Sequence, residues 1–507
     1  MTLEELVGQR LVFGIPGPRF TEDDVRLFQK TRAGGLILYR INFESPEQLT
    51  TLIRDFEEAL GRSLLVLADH EGGRVIMFRD GVTVFPDNLA VGTVGDAELA
   101  ERQGTIEARE LHRLGIDVNL APVLDVLTEG YSPNIGIRSY GRAPEVVARL
   151  GVARIRAMQA GGLSACAKHF PGKGHSPLDA HLALPTIPST WEEMERVHLI
   201  PFRAAIEAGV DLVMTSHPVY PNLDPTPRLP ATFSRKIVRE YLREGLGYSG
   251  VISSDDLEMG AIRELCPIGE AAVQAAQAGH DLLLSCHDAE SQWEVFAGLL
   301  DAYRSRRLAW RDLEASEERL HRLKARRAVR CDGGPPRAEP DGAALAREIA
   351  RRAVRIVRTG EPDLRTRLRQ RVGVIFPRFS SLNARIMIER PLLDESDFLR
   401  EQCGRFGVKP EVSIVGMEPT DEEIEQAAGL AARADLCVLF LFDAHLFPSN
   451  RKLLDRVQAG AQALVVVLLR DPYDADLLAP GVLGVTAFGF RVCQIEAVIE
   501  RLMVDQG

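Results

Sequence analysis

Five short stretches of this 507-residue chain concentrate the side chains that can carry charge or move protons. Asp69-His70-Glu71 runs into Gly72-Gly73-Arg74. Asp125 and Arg138 belong to the next stretch. Lys168-His169 opens a third, which continues through Lys173 and His175 to Asp179 and His181. His217 ends a fourth, and Ser254-Asp255-Asp256 a fifth. Carboxylates, imidazoles and cations grouped this way suit proton transfer and the binding of a polar molecule. They do not suit a metal. His169, His175 and His181 are six apart, which is neither one helix face nor an HExxH motif. Pro171-Gly-Lys-Gly-His175 lacks the spacing of a phosphate loop, and no GxGxxG follows the first apolar run, so no cofactor is implied.

These residues stand at the ends of short apolar runs. The runs are Leu11–Ile15, Gly35–Tyr39, Leu64–Asp69, Val118–Val123, Ala165–Phe170, Asp211–His217, Gly250–Asp255 and Asp281–Cys286. Each is short enough for a strand and too continuous for a half-exposed one, as in a buried parallel sheet. Helical patterns lie between them, among them Asp96–Leu114, Pro144–Ala160, Trp191–Ala208 and Ser234–Leu246. Ala-Gly pairs at 33–34, 160–161, 208–209 and 278–279 precede four of the runs. Glycine there reads as the left-handed cap that ends a helix. Eight strands alternating with helices predict a (β/α)8 barrel, with a doubly wound sheet as the alternative. In a barrel, catalytic groups gather where strands end, and the ionisable residues gather there too. Lys168 and His169 are adjacent on one strand, so only one of them is expected to face the mouth directly.

Residues 301–330 read as an amphipathic helical region closing the barrel. Its acidic residues interleave with its arginines, which argues against a DNA-binding face. The turn-rich stretch 331–342 reads as a linker. Five further strand-like runs, Val372–Phe376, Val412–Val415, Asp435–Phe442, Ala463–Leu469 and Val482–Thr486, predict a smaller, sandwich-like α/β domain over 343–507. The domains are therefore a 1–330 barrel and a 343–507 unit. A net charge of −11 excludes a basic nucleic-acid scaffold. No apolar stretch is long enough to span a membrane. The start of the chain is acidic where a signal peptide would be basic, so none is expected there. The seven cysteines have no CxxC spacing, as expected for thiols in a reducing cytoplasm. Only seven of the 61 basic residues are lysines, and two of these, Lys168 and Lys173, share one short segment.

The motifs resemble those of glycoside hydrolase family 3, in its β-N-acetylglucosaminidase branch. Lys168-His-Phe-Pro-Gly-Lys-Gly-His-Ser-Pro-Leu-Asp-Ala-His181 is similar to KHFPGHGD…DSH. Ala68–Val75 resembles D-x-EGGRV, Asn119–Asp125 N-x-APVxD, Ile135–Gly141 IGxRSFG, and Gly250–Met259 GVIxSDDLxM. The resemblance covers residues 1–300 and only loosely the rest. It implies a retaining double displacement, with Asp255 as nucleophile and His181, oriented by Asp179, as acid/base. Asp256 is the natural helix cap. It further implies that Asp69, Arg138, Lys168 and His169 bind the sugar, with His217 and Asp125 as lesser candidates. For Lys168 the alternative is a buried pair with a carboxylate.

The implied substrate is a small N-acetylglucosaminide, such as a cell-wall turnover fragment, with no nucleic-acid or membrane partner. The signature loop departs from the family in Lys173, His175 and Ala180, where His, Asp and Ser are usual. Lys173 is expected to make the loop more positive and, if close, to lower the His181 pKa. Two alternatives stay open: a phosphorylase on the same scaffold, with phosphate replacing water, and a non-catalytic sugar-binding protein.

Overall fold

The computed structural model describes residues 1–128, 132, 134–175, 184–326, 338–360 and 362–504. Within these the chain divides into two compact units.

The first unit is a closed parallel barrel of β1 (Leu11–Phe13), β2 (Gly35–Leu38), β3 (Leu65–Ala68), β4 (Val118–Asn119), β5 (Ser164–Phe170), β6 (Leu212–Thr215), β7 (Val251–Asp256) and β8 (Leu282–Ser285). Each strand pairs with the next in sequence, and β8 returns to β1. Inward-facing Val12, Ile37, Leu65, Leu67, Val118, Cys166, Leu212, Met214, Val251, Leu282 and Leu284 fill the interior. Leu320 and Leu323 of the helix Trp310–Arg326 join that core. Such side-chain layers make the barrel a packed core rather than a pore.

Two of the four Ala-Gly caps take a left-handed glycine, at Gly209 (φ 77°) and Gly279 (φ 118°). At the others the turn is displaced. Arg32 (φ 57°) makes it ahead of Gly34, and Gly162 (φ 84°) makes it in place of Gly161. The predicted helices form, though Met194–His198 and Lys236–Gly245 wind as wider π turns.

The pairing is irregular at two strand ends. The register of β5 against β6 shifts between Lys168 and Phe170. That of β7 against β8 shifts between Ser253 and Asp256. A bulge re-aims the side chains around it. This corrects the expected alternation at Lys168 and His169: both are buried and both are bound by side chains at the mouth.

The second unit holds a six-stranded sheet in the order β11 (Glu411–Val415), β10 (Val372–Pro377), β12 (Leu436–Leu441), β13 (Leu464–Leu468), β14 (Leu483–Thr486), β9 (Arg355–Arg358). Alternate residues feed two cores. Val374, Phe376, Val438 and Phe440 pack on one face with Phe398 and Ile495. Ile375, Cys437, Leu439 and Leu441 pack on the other with Ile424 and Leu453. Strand β9 runs antiparallel at the edge and was not foreseen. Its sequence, Arg-Ile-Val-Arg, is half-exposed and carries no apolar run. The second unit also takes in Gly72–Arg79 and Val84–Val94, which the sequence reading assigned to the barrel. Most of the predicted linker lies outside the described residues.

Behind the barrel mouth, the helices Ala97–Arg113 and Pro144–Ala160 share a buried ion pair. Arg154 Nε and Nη2 each lie 2.8 Å from a Glu107 carboxylate oxygen. Glu107→Ala leaves that guanidinium buried without its partner and is expected to cost about 3–5 kcal/mol of unfolding free energy. Replacing both residues with apolar ones of similar size is expected to recover most of the loss. Urea denaturation of the three proteins checks this, and a single variant as stable as the parent refutes it.

Candidate active site

Asp69 follows β3, and Lys168 approaches it from β5. The Lys168 ammonium pairs with Asp69 Oδ1 and, at 2.7 Å, with Glu71 Oε1. Glu71 is only 1 % exposed. It also receives both arms of Arg138, Nε at 2.8 Å and Nη2 at 2.7 Å. Arg138 Nη1 donates to the Asn134 carbonyl at 2.9 Å. A planar fork on a carboxylate fixes direction as well as charge.

The backbone beneath is pinned from two sides. Asn119 accepts the His70 N–H at 3.0 Å and donates to the His70 carbonyl at 2.9 Å. Arg154 Nη2 donates to the Glu71 carbonyl at 2.8 Å. Burial pushes the Glu71 carboxyl up, but Arg138 and Lys168 outweigh it and hold it far below the usual range. Asp69 moves the other way: burial raises it, beyond what Lys168 offsets.

Asp125 organises the neighbouring side. Its Oδ2 accepts from His169 Nδ1 at 2.7 Å, and its Oδ1 accepts the Lys173 backbone N–H at 2.6 Å. A carboxylate at Nδ1 places the ring proton there and sets the tautomer. Ser139 holds the same loop by donating to the Asp125 carbonyl at 2.6 Å. Burial pushes Asp125 up to about 6 against the pull of Lys173.

Asp255 and Asp256 end β7 and face different surroundings. Asp255 keeps 19 % of its side chain exposed, and the Lys173 ammonium lies 3.9 Å from its Oδ2. Burial alone would raise its pKa; Lys173, His217 and Lys168 together bring it below the ordinary value. Asp256 accepts the backbone N–H groups of Glu258 at 3.1 Å and Cys286 at 3.3 Å. These contacts tie a loop turn to the end of β8. The helix Gly260–Arg263 that follows starts at Met259 without a side-chain cap, so Asp256 does not take the cap role expected for it. Burial lifts it to about 7. His217 bridges the two strand ends, with Nδ1 at 2.8 Å from Thr232 Oγ1 and Nε2 donating to the Asp256 carbonyl at 3.0 Å.

Asp69, Arg138, Lys168, His169 and Asp255 therefore meet in one network with Asp125 and His217. Asp179 and His181 lie outside the described residues. The alternative given for Lys168, a buried pair with a carboxylate, describes its ammonium in the structure. The expected effect of Lys173 on His181 falls outside the described residues, and Lys173 has its described contact with Asp255. It is 4 % exposed and turned toward Asp255. Sequence reasoning passed over Glu71, although it stands two residues after Asp69 in a quoted motif. Nothing in the sequence says that one carboxylate serves two cations. Among the described residues, no group of three His, Cys, Asp or Glu could hold a metal ion.

Comparison with known proteins follows the same lines. Residues 2–323 match the Glycosyl hydrolase family 3 N terminal domain. A beta-hexosaminidase of Alkalilimnicola ehrlichii is 38% identical over 345 residues, 65% of this chain and 98% of its own. A glycoside hydrolase family 3 beta-N-acetylglucosaminidase from Paenibacillus superposes with a TM-score of 0.92 at 34% identity, over 99% of this chain and 97% of its own. A beta-glucoside phosphorylase superposes with a TM-score of 0.80 at 18% identity, over 99% and 92%, and shares the fold.

Glu71→Gln leaves Lys168 and Arg138 without the charge they share. It is expected to lower kcat/KM for any glycoside the chain cleaves by about 100-fold, the cost of an ångström-scale misplacement. Glu71→Asp, too short to reach both cations, is not expected to restore it. Steady-state kinetics on both variants, with circular dichroism as the folding control, decides the matter. Wild-type turnover by either variant contradicts the shared-carboxylate arrangement.

Proposed function

The chain belongs to glycoside hydrolase family 3, and from that premise we propose that it is a retaining exo-β-N-acetylglucosaminidase, removing terminal N-acetylhexosamine through a covalent glycosyl-enzyme. The observation that carries this reading is Asp255, a carboxylate at a barrel strand end kept ionised by Lys173, His217 and Lys168. An ionised carboxylate with an open face is what attack on an anomeric carbon requires. The printed names of the Alkalilimnicola and Paenibacillus relatives support the N-acetylglucosaminide as substrate class.

In this reading His181 protonates the departing oxygen and later takes a proton from water, and Asp179 fixes its tautomer. An imidazole titrates near neutral pH, so it can give and retake a proton. Asp69, Arg138, Lys168 and His169 bind the sugar hydroxyls, Lys168 through the one ammonium hydrogen that its pairing with Asp69 and Glu71 leaves. The donor side is cell-wall turnover fragments in a reducing cytoplasm. The six cysteines among the described residues are free, and among those residues no helix is long and apolar enough to cross a membrane.

The phosphorylase alternative rests on a histidine acid/base, which repels phosphate less than a carboxylate does, with Lys173 as a small added attraction. That ammonium faces Asp255, so water is the acceptor we favour.

Asp255→Ala is expected to lose about 10⁴-fold in kcat on an aryl N-acetyl-β-glucosaminide, a typical cost of deleting a nucleophile or its partner. Asp256→Asn is expected to lose far less. Proton NMR of the first product formed should show the β-anomer of the free sugar, and added phosphate should yield no glycosyl phosphate. An α-anomer first, or an Asp255→Ala protein as active as the parent, overturns the reading.

A further inference from the structure

Lys173 is held by the backbone, not by a mobile side chain reaching inward. Its own N–H is bound to Asp125. Both neighbours are glycines that cannot be replaced without movement. A Cβ on Gly174 would fall 2.0 Å from the Val126 carbonyl oxygen. Gly172 has φ 119°, and a Cβ there would fall 2.9 Å from His198 Cβ. The turn therefore delivers a buried ammonium to one place. The other two cations at the mouth have carboxylates in direct contact: Lys168 has Asp69 and Glu71, and Arg138 has Glu71. The carboxylate that the Lys173 ammonium approaches within 4 Å is Asp255. At 3.9 Å the contact is an ion pair rather than a hydrogen bond, so it attracts without occupying the oxygen lone pairs.

We propose that Lys173 is a positioning residue of the second displacement, its buried ammonium favouring return of Asp255 from the glycosyl ester to the free carboxylate. This rests on the reading of Asp255 as nucleophile. In the first step an Asp255 oxygen pair forms the bond to the anomeric carbon. The bond to the aglycone oxygen breaks, and that oxygen keeps the pair and takes a proton from the acid. The ester so formed is neutral, and Lys173 loses the nearer of the two carboxylates that attract it, Asp255, and keeps Asp125. In the second step water bonds to the anomeric carbon, the ester bond returns its pair to Asp255, and the base takes the water proton. The charge that Lys173 attracts is restored only in this step. A buried cation that has lost its nearer carboxylate destabilises the ester relative to the free enzyme, so the ester is short-lived.

Asp255 is faced by further charged groups that remain in any Lys173 variant. They are Lys168 from β5, Asp69 after β3, His217 after β6 and Asp256 beside it. Arg138 and Asp125 surround Lys173 itself. The low acid midpoint of Asp255 is consistent with the net pull of the cations in this set.

Two readouts test the proposal on the full-length chain. The first needs no substrate: the Asp255 carboxyl titration, taken as the infrared difference between each protein and its Asp255→Asn derivative. Lys173→Met is expected to raise the midpoint by about one pH unit, and Lys173→Arg, which keeps the charge, to leave it near the parent value. The second is pre-steady-state release of the aryl group from an aryl N-acetyl-β-glucosaminide. Lys173→Met is expected to show a burst approaching one equivalent, with ester hydrolysis slowed about tenfold, where the parent shows none. A parent that is active while Lys173→Met shows neither shift nor burst overturns the role of Lys173 alone. An inactive parent whose Lys173→Met midpoint still shifts overturns the glycosidase reading and the displacement role with it.

Discussion

Glu71 is the carboxylate on which the barrel mouth depends. Lys168 is buried and Arg138 nearly so, and Arg138 lowers the tendency of Lys168 to hold a proton. Two cations at that depth are tolerable only if a negative charge lies between them, in hydrogen-bonding contact with both. Glu71 supplies it, with Oε1 serving Lys168 and the full carboxylate serving Arg138. The side chain is placed for this by hydrogen bonds to its own and the preceding residue's backbone. The Glu71 carbonyl is tied to Arg154, and Arg154 is tied to Glu107. A chain of charge-assisted contacts thus runs from two packed helices outside the barrel to the groups at its mouth. The helix pair is part of the site although it touches none of the reacting groups.

Strand geometry alone would not assemble this network. A regular β5 would send Lys168 and His169 to opposite faces, one into the mouth and one toward the helices. The register shift after Lys168 lets both be used, Lys168 toward the β3 end and His169 toward Asp125 after β4. The second shift, before Asp256, does the same for β7. It separates the roles of two carboxylates that are neighbours in sequence. Both irregularities occur at the C-terminal ends of strands, where pairing stops and loops begin, and where an extra residue disturbs the core least.

Much of this was legible in the sequence, and what was not has a physical reason. Eight apolar runs gave eight strands because buried parallel strands read as continuous apolar segments. Strand β9 was missed because an edge strand with two arginines and a half-exposed face has no such signal. Two of four helix caps were displaced because the left-handed turn can fall on a neighbouring residue, at one on the non-glycine Arg32 and at the other on the next glycine, Gly162. The groups at the strand ends were recognisable by type and by family resemblance. Their pairings were not. That Glu71 serves two cations, and that Lys173 turns inward to Asp255, depend on the spacing between strands far apart in sequence. The assignment of Gly72–Arg79 and Val84–Val94 to the second unit is of the same kind. A loop's allegiance is set by its contacts, and sequence order does not report those.

Asp255 and Asp256 show how environment, not residue type, divides labour. They are adjacent and chemically identical, and burial pushes both toward the neutral form. Asp255 is opposed by Lys173, His217 and Lys168, and is drawn below the ordinary carboxylate range. Asp256 receives mainly backbone N–H donors and stands near Glu258 and Asp255, which are negative, so it rises to about 7. Two neighbouring carboxylates cannot both ionise cheaply in so dry a place, and a difference in surroundings decides which one does. The cations cluster on the Asp255 side because β5 and its following turn deliver them there. The group left ionised is the slightly more exposed of the two, 19 % against 13 %, and the group left to titrate near neutrality is the one closing the β7 loop. Had the same two lysines sat beside Asp256, the ionised carboxylate would have been the one whose oxygens already accept the Glu258 and Cys286 backbone N–H groups.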